Sequence, residues 1–321
     1  MAVQDRPVVL VAMGGHAFIG QGQKGTIEEH EKNAAAISRQ LMTLVERNYN
    51  IVITHGNGPQ VGSLLLQNEL SREAVAPMPL DVLVAQTEGS LGYVLQQALL
   101  NELRERKIRR YVVAVICQVL VDRNDPSFHE PSKPIGRFLT KEEAEELRAK
   151  LNWRIIEDAG RGWRRVVPSP RPLKVVQREM IRDAASAGHI VIACGGGGVP
   201  IMEVEGEGNN YEGVEAVIDK DLTSAVLANQ IGAQLLIILT SVPNVYVGFR
   251  TPQQRLLQAV TLPEIRDLMA RGEFPAGSMG PKIEAIINFL EGGGQRALVT
   301  NPESLQDALE GKAGTHFVGR W

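Results

Sequence analysis

The sequence predicts an α/β protein, a three-layer αβα sandwich around a mostly parallel open sheet with a projecting insertion subdomain. Three observations carry that prediction. Short β-branched runs recur along the 321 residues and are apolar without alternation, as strands covered on both faces must be. Amphipathic stretches of helical length lie between them, and strands alternating with helices pair in parallel under helical cover. The apolar pattern then breaks near Asp122, where Arg, Pro, Gly and acidic residues take over until about Pro172.

Taken in order, residues 8–13 form the first buried strand and Gly14-Gly15 end it. Residues 26–47 carry helical periodicity, and 51–54 form the second strand, closed by His55-Gly56-Asn57-Gly58-Pro59. A long helix is predicted over 80–106 and one strand over 111–121. The insertion, about 122–172, is turn-rich at 123–133 and 158–172, with a short charged helix at 141–150 between. A helix at 174–187 leads to a strand at 190–194 and to four successive glycines, Gly195 to Gly198. The Gly/acidic stretch 203–213 has no apolar period and is predicted to be a hinge. It divides an N-terminal lobe, 1–212, from a C-terminal lobe, 213–321. The second lobe repeats the alternation: helix 221–230, strand 235–240, helices 262–271 and 282–291, and strand 297–300.

Composition excludes several function classes. Thirty-four Lys+Arg against 37 Asp+Glu leave a formal charge of -3, so the chain lacks the basic footprint of a general nucleic-acid binder. No apolar run approaches the ~18 residues that span a bilayer, and the opening residues lack a secretory pattern, so no membrane is expected and the cytoplasm is the expected compartment. Cys117 and Cys194 close apolar runs without a second Cys or a His at ligand spacing, and are expected to be reduced core residues. No zinc spacing and no Gly-x-Ser-x-Gly elbow occurs, and no metal is assigned to the protein's own side chains.

The glycines point to chemistry. In open parallel sheets ligands bind beyond the carboxyl ends of the strands. Gly14, Gly15, Gly56, Asn57, Gly58, Gly195 and Gly196 all fall there. Glycine lets backbone N–H groups come close to an anion, and a following helix start adds partial positive charge. Three such loops imply a polyanionic ligand. Neither the Walker nor the Gly-x-Gly-x-x-Gly spacing is present, so phosphate is held another way.

Of ten lysines, seven lie on charged helical stretches, in a polar loop or near the end. The other three do not. Lys220, in Asp219-Lys220-Asp221, falls in the first turn of a helix that Asp219 or Asp221 can cap, and Lys282 follows Gly280-Pro281 at another helix start. A cation there opposes the helix dipole unless an anion is bound. Phosphoryl transfer needs such charge around the transferred group. Asp221 is placed to orient both lysines or to hold a metal-bound water. Lys133 stands between Pro131 and Pro134 in the insertion. His55 lies beside a glycine loop without having to titrate.

Assembled, these segments resemble the carbamate kinases of the amino-acid kinase superfamily. The matching stretches include residues 54–62, 78–81, 86–93, 133–136, 157–170, 194–198, 215–221 and 277–282, in order and over nearly the whole chain. The insertion is the most specific of them. The resemblance implies reversible phosphoryl transfer between ATP and carbamate, giving ADP and carbamoyl phosphate, with Mg2+ accompanying the nucleotide and a homodimer as the assembly. It implies catalytic roles for Lys133, Lys220, Asp221 and Lys282. The glycine loops, with His16, would hold carbamate and phosphoryl oxygens in the N-terminal lobe. Thr240, Ser241, Val242, Tyr246, Pro275 and Met279 would line a nucleotide pocket in the C-terminal one. Three departures stand out: His16 where the family has Asn, Arg137 where Pro is common, and Gly248-Phe249-Arg250 in place of Asn-Phe/Tyr-Gly. They keep two other readings open, a kinase of another small carboxylate or phosphate acceptor and a nucleotide-binding regulatory protein with impaired turnover.

Overall fold

The computed structural model describes residues 6–319 apart from 21, 159, 205, 207–209 and 276, and apart from the side chain of His16. Eight strands form the central sheet in the order Ala259–Thr261, Thr315–Val318, Arg296–Thr300, Leu235–Leu239, Val8–Met13, Asn50–His55, Ile190–Ile192 and Val112–Ala114. From Arg296–Thr300 to Val112–Ala114 every neighbouring pair is parallel, whereas the two strands at the other edge run the opposite way. Val8–Met13 lies where the winding reverses. The chain next adds Asn50–His55 on one side, and much later Leu235–Leu239 on the other, leaving a crevice beyond their carboxyl ends.

Side chains of a strand alternate between faces, and the core divides accordingly. Leu10, Ala12, Val52, Val191, Leu236 and Ile238 face the helices Arg178–Ser186, Lys220–Gln230 and Gly280–Glu291 through Ile181, Leu227, Ile283 and Phe289. Val9, Val11, Ile51, Ile53, Leu235 and Ile237 face Ile27–Glu46 and Leu80–Glu105 through Ile37, Leu41, Leu91 and Leu95. That is the predicted three-layer sandwich, and it explains why the strands read as unbroken apolar runs.

Several local expectations change. The predicted strand at 111–121 is two strands: Val112–Ala114 in the central sheet and Gln118–Val121 in a second sheet with Pro172–Val175, Val199–Glu203 and Tyr211–Gly213. Val112, Val119 and Val121 are all buried, so the apolar run carries no boundary. The helix predicted from 174 begins at Arg178, because residues 172–175 belong to that second sheet. Of the stretch read as a hinge, Glu203 and Tyr211–Gly213 are strand residues of this sheet, and 205 and 207–209 lie outside the described residues.

The insertion is also more regular than its turn-rich composition implied. Lys133–Leu139, Trp163–Val167 and Ile155–Glu157 form an antiparallel sheet, backed by the helix Lys141–Leu151. The capping box of Thr140 and Glu143 starts that helix, and Leu139, Ala144 and Ile155 give the insertion its own small core. Its strands are short and half exposed, so they leave little apolar signature. The helix Gly58–Ser71, which the sequence did not reveal beyond its initial glycines, packs against Lys133–Leu139 and carries Val61 and Leu65 onto Ile135.

Candidate active site

Beyond the carboxyl ends of the central strands lies a cleft of about 800 Å3. Its floor is built by close backbone contact. Gly56 N–H donates to the Met13 carbonyl at 3.0 Å, and a Cβ on Gly56 would stand 2.8 Å from the Gly15 nitrogen. Only glycine lets these two loops touch. Gly196 has φ +68, and a side chain there would overlap Asn57, whose amide donates to Thr87 Oγ1 at 2.8 Å. Gly14, Gly15, Gly56, Asn57, Gly58 and Gly196 therefore line the cleft as one surface.

Gly195 does not line it. A Cβ there would fall 2.5 Å from the His55 ring and 3.2 Å from Glu88, so this glycine serves packing behind the loop. His16 lies in the short turn Gly15–Ala17 beside the cleft, and its side chain is outside the described residues. His55 is buried, edge-on to Phe18 at 5.3 Å. Burial lowers its pKa to about 4, against a hydrogen bond with the Gly56 carbonyl, and it is neutral at physiological pH. Cys117 and Cys194 are free and buried, as expected. Behind Gly195, burial pushes the Glu88 carboxyl well above its ordinary value, although the Cys117 N–H donates to it at 2.9 Å.

The three singled-out lysines converge on two carboxylates. The helix Lys220–Gln230 starts at Asp219, whose Oδ1 accepts from Asp221 N–H at 2.9 Å, so Asp219 is the cap. The remaining oxygen of Asp219 takes the Lys133 ammonium, which arrives from the insertion. Asp221 accepts from Lys220 through Oδ1 and from Lys282 through Oδ2, the latter at 2.9 Å. Lys282 reaches that point from the first turn of Gly280–Glu291. Burial opposes ionisation of Asp221, but the two ammonium groups outweigh it and hold the carboxyl far below the ordinary range. Burial likewise opposes the Asp219 charge, and Lys133 overcomes it. Burial lowers the Lys220 pKa against the pull of Asp221, whereas for Lys282 the Asp221 carboxylate prevails and raises it. Three ammonium groups thus share two carboxylates, and the surplus positive charge faces the cleft.

Next to the sheet end at Leu239, Thr240, Ser241, Val242, Tyr246, Pro275 and Met279 continue the wall of the cleft. The Tyr246 ring stands 6.1 Å from Phe249, and Glu273 accepts from Gly248 N–H at 3.0 Å. Arg161, Arg164 and Glu273 also line the cleft without having been foreseen from the sequence, as do Asp219, expected only as a possible helix cap, and Phe249, noted only as a departure from the family pattern. Asp219 was within reach, since it adjoins Lys220 in the same motif. Arg161 and Arg164 carried no signal beyond a Gly/Arg-rich stretch, because the hairpin that turns them inward is a tertiary matter.

A parallel sheet under helices on both faces, with glycine loops at its strand ends and clustered lysines at helix starts, defines an α/β phosphate-handling enzyme. Comparison narrows the class: the chain belongs to the amino acid kinase family, whose model matches residues 7–301. It is 45% identical over 313 residues to a carbamate kinase of Thermococcus kodakarensis, covering 97% of this chain and 98% of that one. It is 43% identical over 316 residues to the carbamate kinase-like protein YahI of Escherichia coli, covering 98% and 99%. Carbamate kinase from Giardia lamblia bound to citric acid superposes with a TM-score of 0.93 at 38% identity, covering 98% of this chain and 99% of that one. The same Giardia enzyme bound to AMP-PNP gives 0.88 at equal coverage.

Proposed function

We propose that this chain is a carbamate kinase, transferring phosphoryl reversibly between ATP and carbamate. The observation that carries the reading is the junction of Lys133, Lys220 and Lys282 on Asp219 and Asp221, between the glycine loops and the Thr240 to Tyr246 wall. The near full-length identity to carbamate kinases supports it.

The chemistry asks for charge and placement. A carbamate oxygen forms a bond to the γ-phosphorus as the bond to the bridging oxygen breaks, and the electron pair leaves on ADP. The acceptor is already a carboxylate, so no general base is required, in keeping with a cleft whose nearest histidine with a described side chain, His55, is buried and neutral. Lys220 and Lys282 face the equatorial oxygens, where negative charge shifts during transfer, and Asp221 keeps their ammonium groups together. Lys133 brings a third charge from the insertion. The glycine loops and Asn57 hold the acceptor, and the wall from Thr240 to Tyr246 with Pro275 and Met279 holds the nucleotide.

Mg2+ enters as the nucleotide complex. Among the described residues no group of three acidic, His or Cys side chains could cage it, and both Asp221 oxygens already accept from lysines. Phosphate oxygens and water supply its coordination. The lobes 1–212 and 213–321 divide acceptor from nucleotide binding, although one sheet runs through both. The family reading further implies a cytoplasmic homodimer. No described helix is long and apolar enough to cross a membrane.

The test is ATP formation from ADP and carbamoyl phosphate in a coupled assay, with acetyl phosphate as the competing donor. Turnover on carbamoyl phosphate alone is expected. Equal turnover on both, or none, would overturn the assignment.

A further inference from the structure

The insertion brings more to the cleft than Lys133. Arg161 and Arg164 both line it, and one carboxylate holds both. Asp158 Oδ1 accepts from Arg161 Nη2 at 2.9 Å, and Oδ2 accepts from Arg164 Nη1 at 3.1 Å. Arg164 Nε donates to the Gly136 carbonyl at 3.1 Å, and the Phe138 ring lies within 5.0 and 5.2 Å of the two guanidinium groups. The plane of Arg164 is therefore fixed before any ligand arrives, which cuts the entropy lost on binding.

One nitrogen is left over. Arg164 Nη2 has no hydrogen-bond partner among the described residues, and it lies 3.8 Å from where a Cβ on Gly58 would stand. The Arg164 side chain is only 15% exposed, against 57% for Arg161, so most of it is packed against the insertion. It faces Gly58, the first residue of Gly58–Ser71, where the preceding Asn57 makes no side-chain cap to the Gly58 and Gln60 N–H groups. The facing strand is irregular at this point. The register between Lys133–Leu139 and Trp163–Val167 shifts after Ile135, next to Gly136 with φ +78.

The position also says which substrate it meets. Gly58 follows the strand Asn50–His55, which is two strands from Leu235–Leu239 and the nucleotide wall. At about 4.8 Å per strand that is roughly 10 Å away. We infer that Arg164 is a second acceptor-binding residue of the insertion, donating from Nη2 to an oxygen of the carbamoyl phosphate or carbamate held opposite Gly58. Asp158 is its positioning residue. This rests on the carbamate kinase reading.

The test separates acceptor from nucleotide. Arg164→Lys keeps the charge and loses the fork, and Arg164→Met loses both. Each should raise the KM for carbamoyl phosphate about ten- to hundredfold, the scale of one lost hydrogen bond to a charged group. The KM for ADP should stay within twofold. Asp158→Asn should shift the carbamoyl phosphate KM in the same direction by a smaller factor. If Arg164→Met lowers the melting temperature by more than about 5 °C, the Arg164→Lys split decides. An unchanged carbamoyl phosphate KM, or equal rises in both KM values, would overturn the inference. Calorimetric titration with sulfate, a stand-in for the phosphoryl oxygens, needs no turnover. At least tenfold weaker sulfate binding by Arg164→Met supports the site, and equal binding, or none by the wild type, refutes it. A wild-type protein without turnover would sink the kinase reading and leave the sulfate result to decide Arg164.

Discussion

Replacing Gly62 by alanine should disable the enzyme from a position that touches neither substrate. Gly62 lies on Gly58–Ser71, and a Cβ there would stand 2.0 Å from the Gly136 Cα and 2.2 Å from its nitrogen. Both are backbone atoms, so no side chain can swing aside. Ordinary contact begins near 3.4 Å, and the strand Lys133–Leu139 must withdraw by about 1.4 Å to admit the methyl. Lys133 lies three residues before Gly136 on that strand, so its ammonium is carried away from Asp219. Displacements near 1 Å at a reacting centre cost about a hundredfold in rate. Overpacking costs about 1–3 kcal/mol, and the helix preference for Ala over Gly offsets about 1 kcal/mol of it. The expected outcome is a kcat lowered about a hundredfold with a stability loss of about 2 kcal/mol or less. Coupled ATP formation and denaturant unfolding measure the two. A kcat within threefold of wild type would refute the claim that this contact seats the insertion.

Lys220→Ala and Lys282→Ala should each lower kcat at least about a hundredfold while the fold survives, because Asp221 keeps one ammonium partner in either variant. Asp221→Asn should be the more destabilising, by about 3–5 kcal/mol, since it leaves two buried lysines without their carboxylate; unfolding that ranks the three variants otherwise would contradict this. His55 titrates at about 4 when folded and near 6.5 when unfolded, so between those values the unfolded chain binds more protons and stability falls as pH falls. From pH 7 to pH 4 that group should remove about 3 kcal/mol, and His55→Asn, compared with wild type by unfolding at both pH values, should lack that component. His16→Asn should retain or improve carbamoyl phosphate turnover, since an amide donor replaces an imidazole one; loss of activity would give this histidine a role of its own.

Much of this architecture was legible because it is local. Strands such as Val8–Met13 and Leu235–Leu239, buried on both faces, must be apolar throughout, and the helices between them must show a period of 3.6. Glycines at strand ends and lysines at helix starts are local anomalies as well. Each breaks a preference that only a bound anion or a close backbone contact repairs, which is why Lys220, Lys282 and most of the glycine loops could be picked out singly.

Tertiary structure decided what depends on distant partners. The run through 111–121 had to be cut where Val115 leaves the central sheet, and nothing in an apolar stretch marks which of two sheets receives it. Gly195 and Gly196 are neighbours of the same type, yet one packs on His55 and the other lines the cleft, because φ values and facing side chains differ. Asp219 and Lys133 are 86 residues apart, and no period or spacing links them before the insertion folds back over the cleft. Local patterning along the chain is enough to say which residues are buried, which loops can approach an anion and which cations sit at helix starts. Only the fold decided which charges meet, because a Coulomb contact depends on distance in space, and chain separation does not encode that distance.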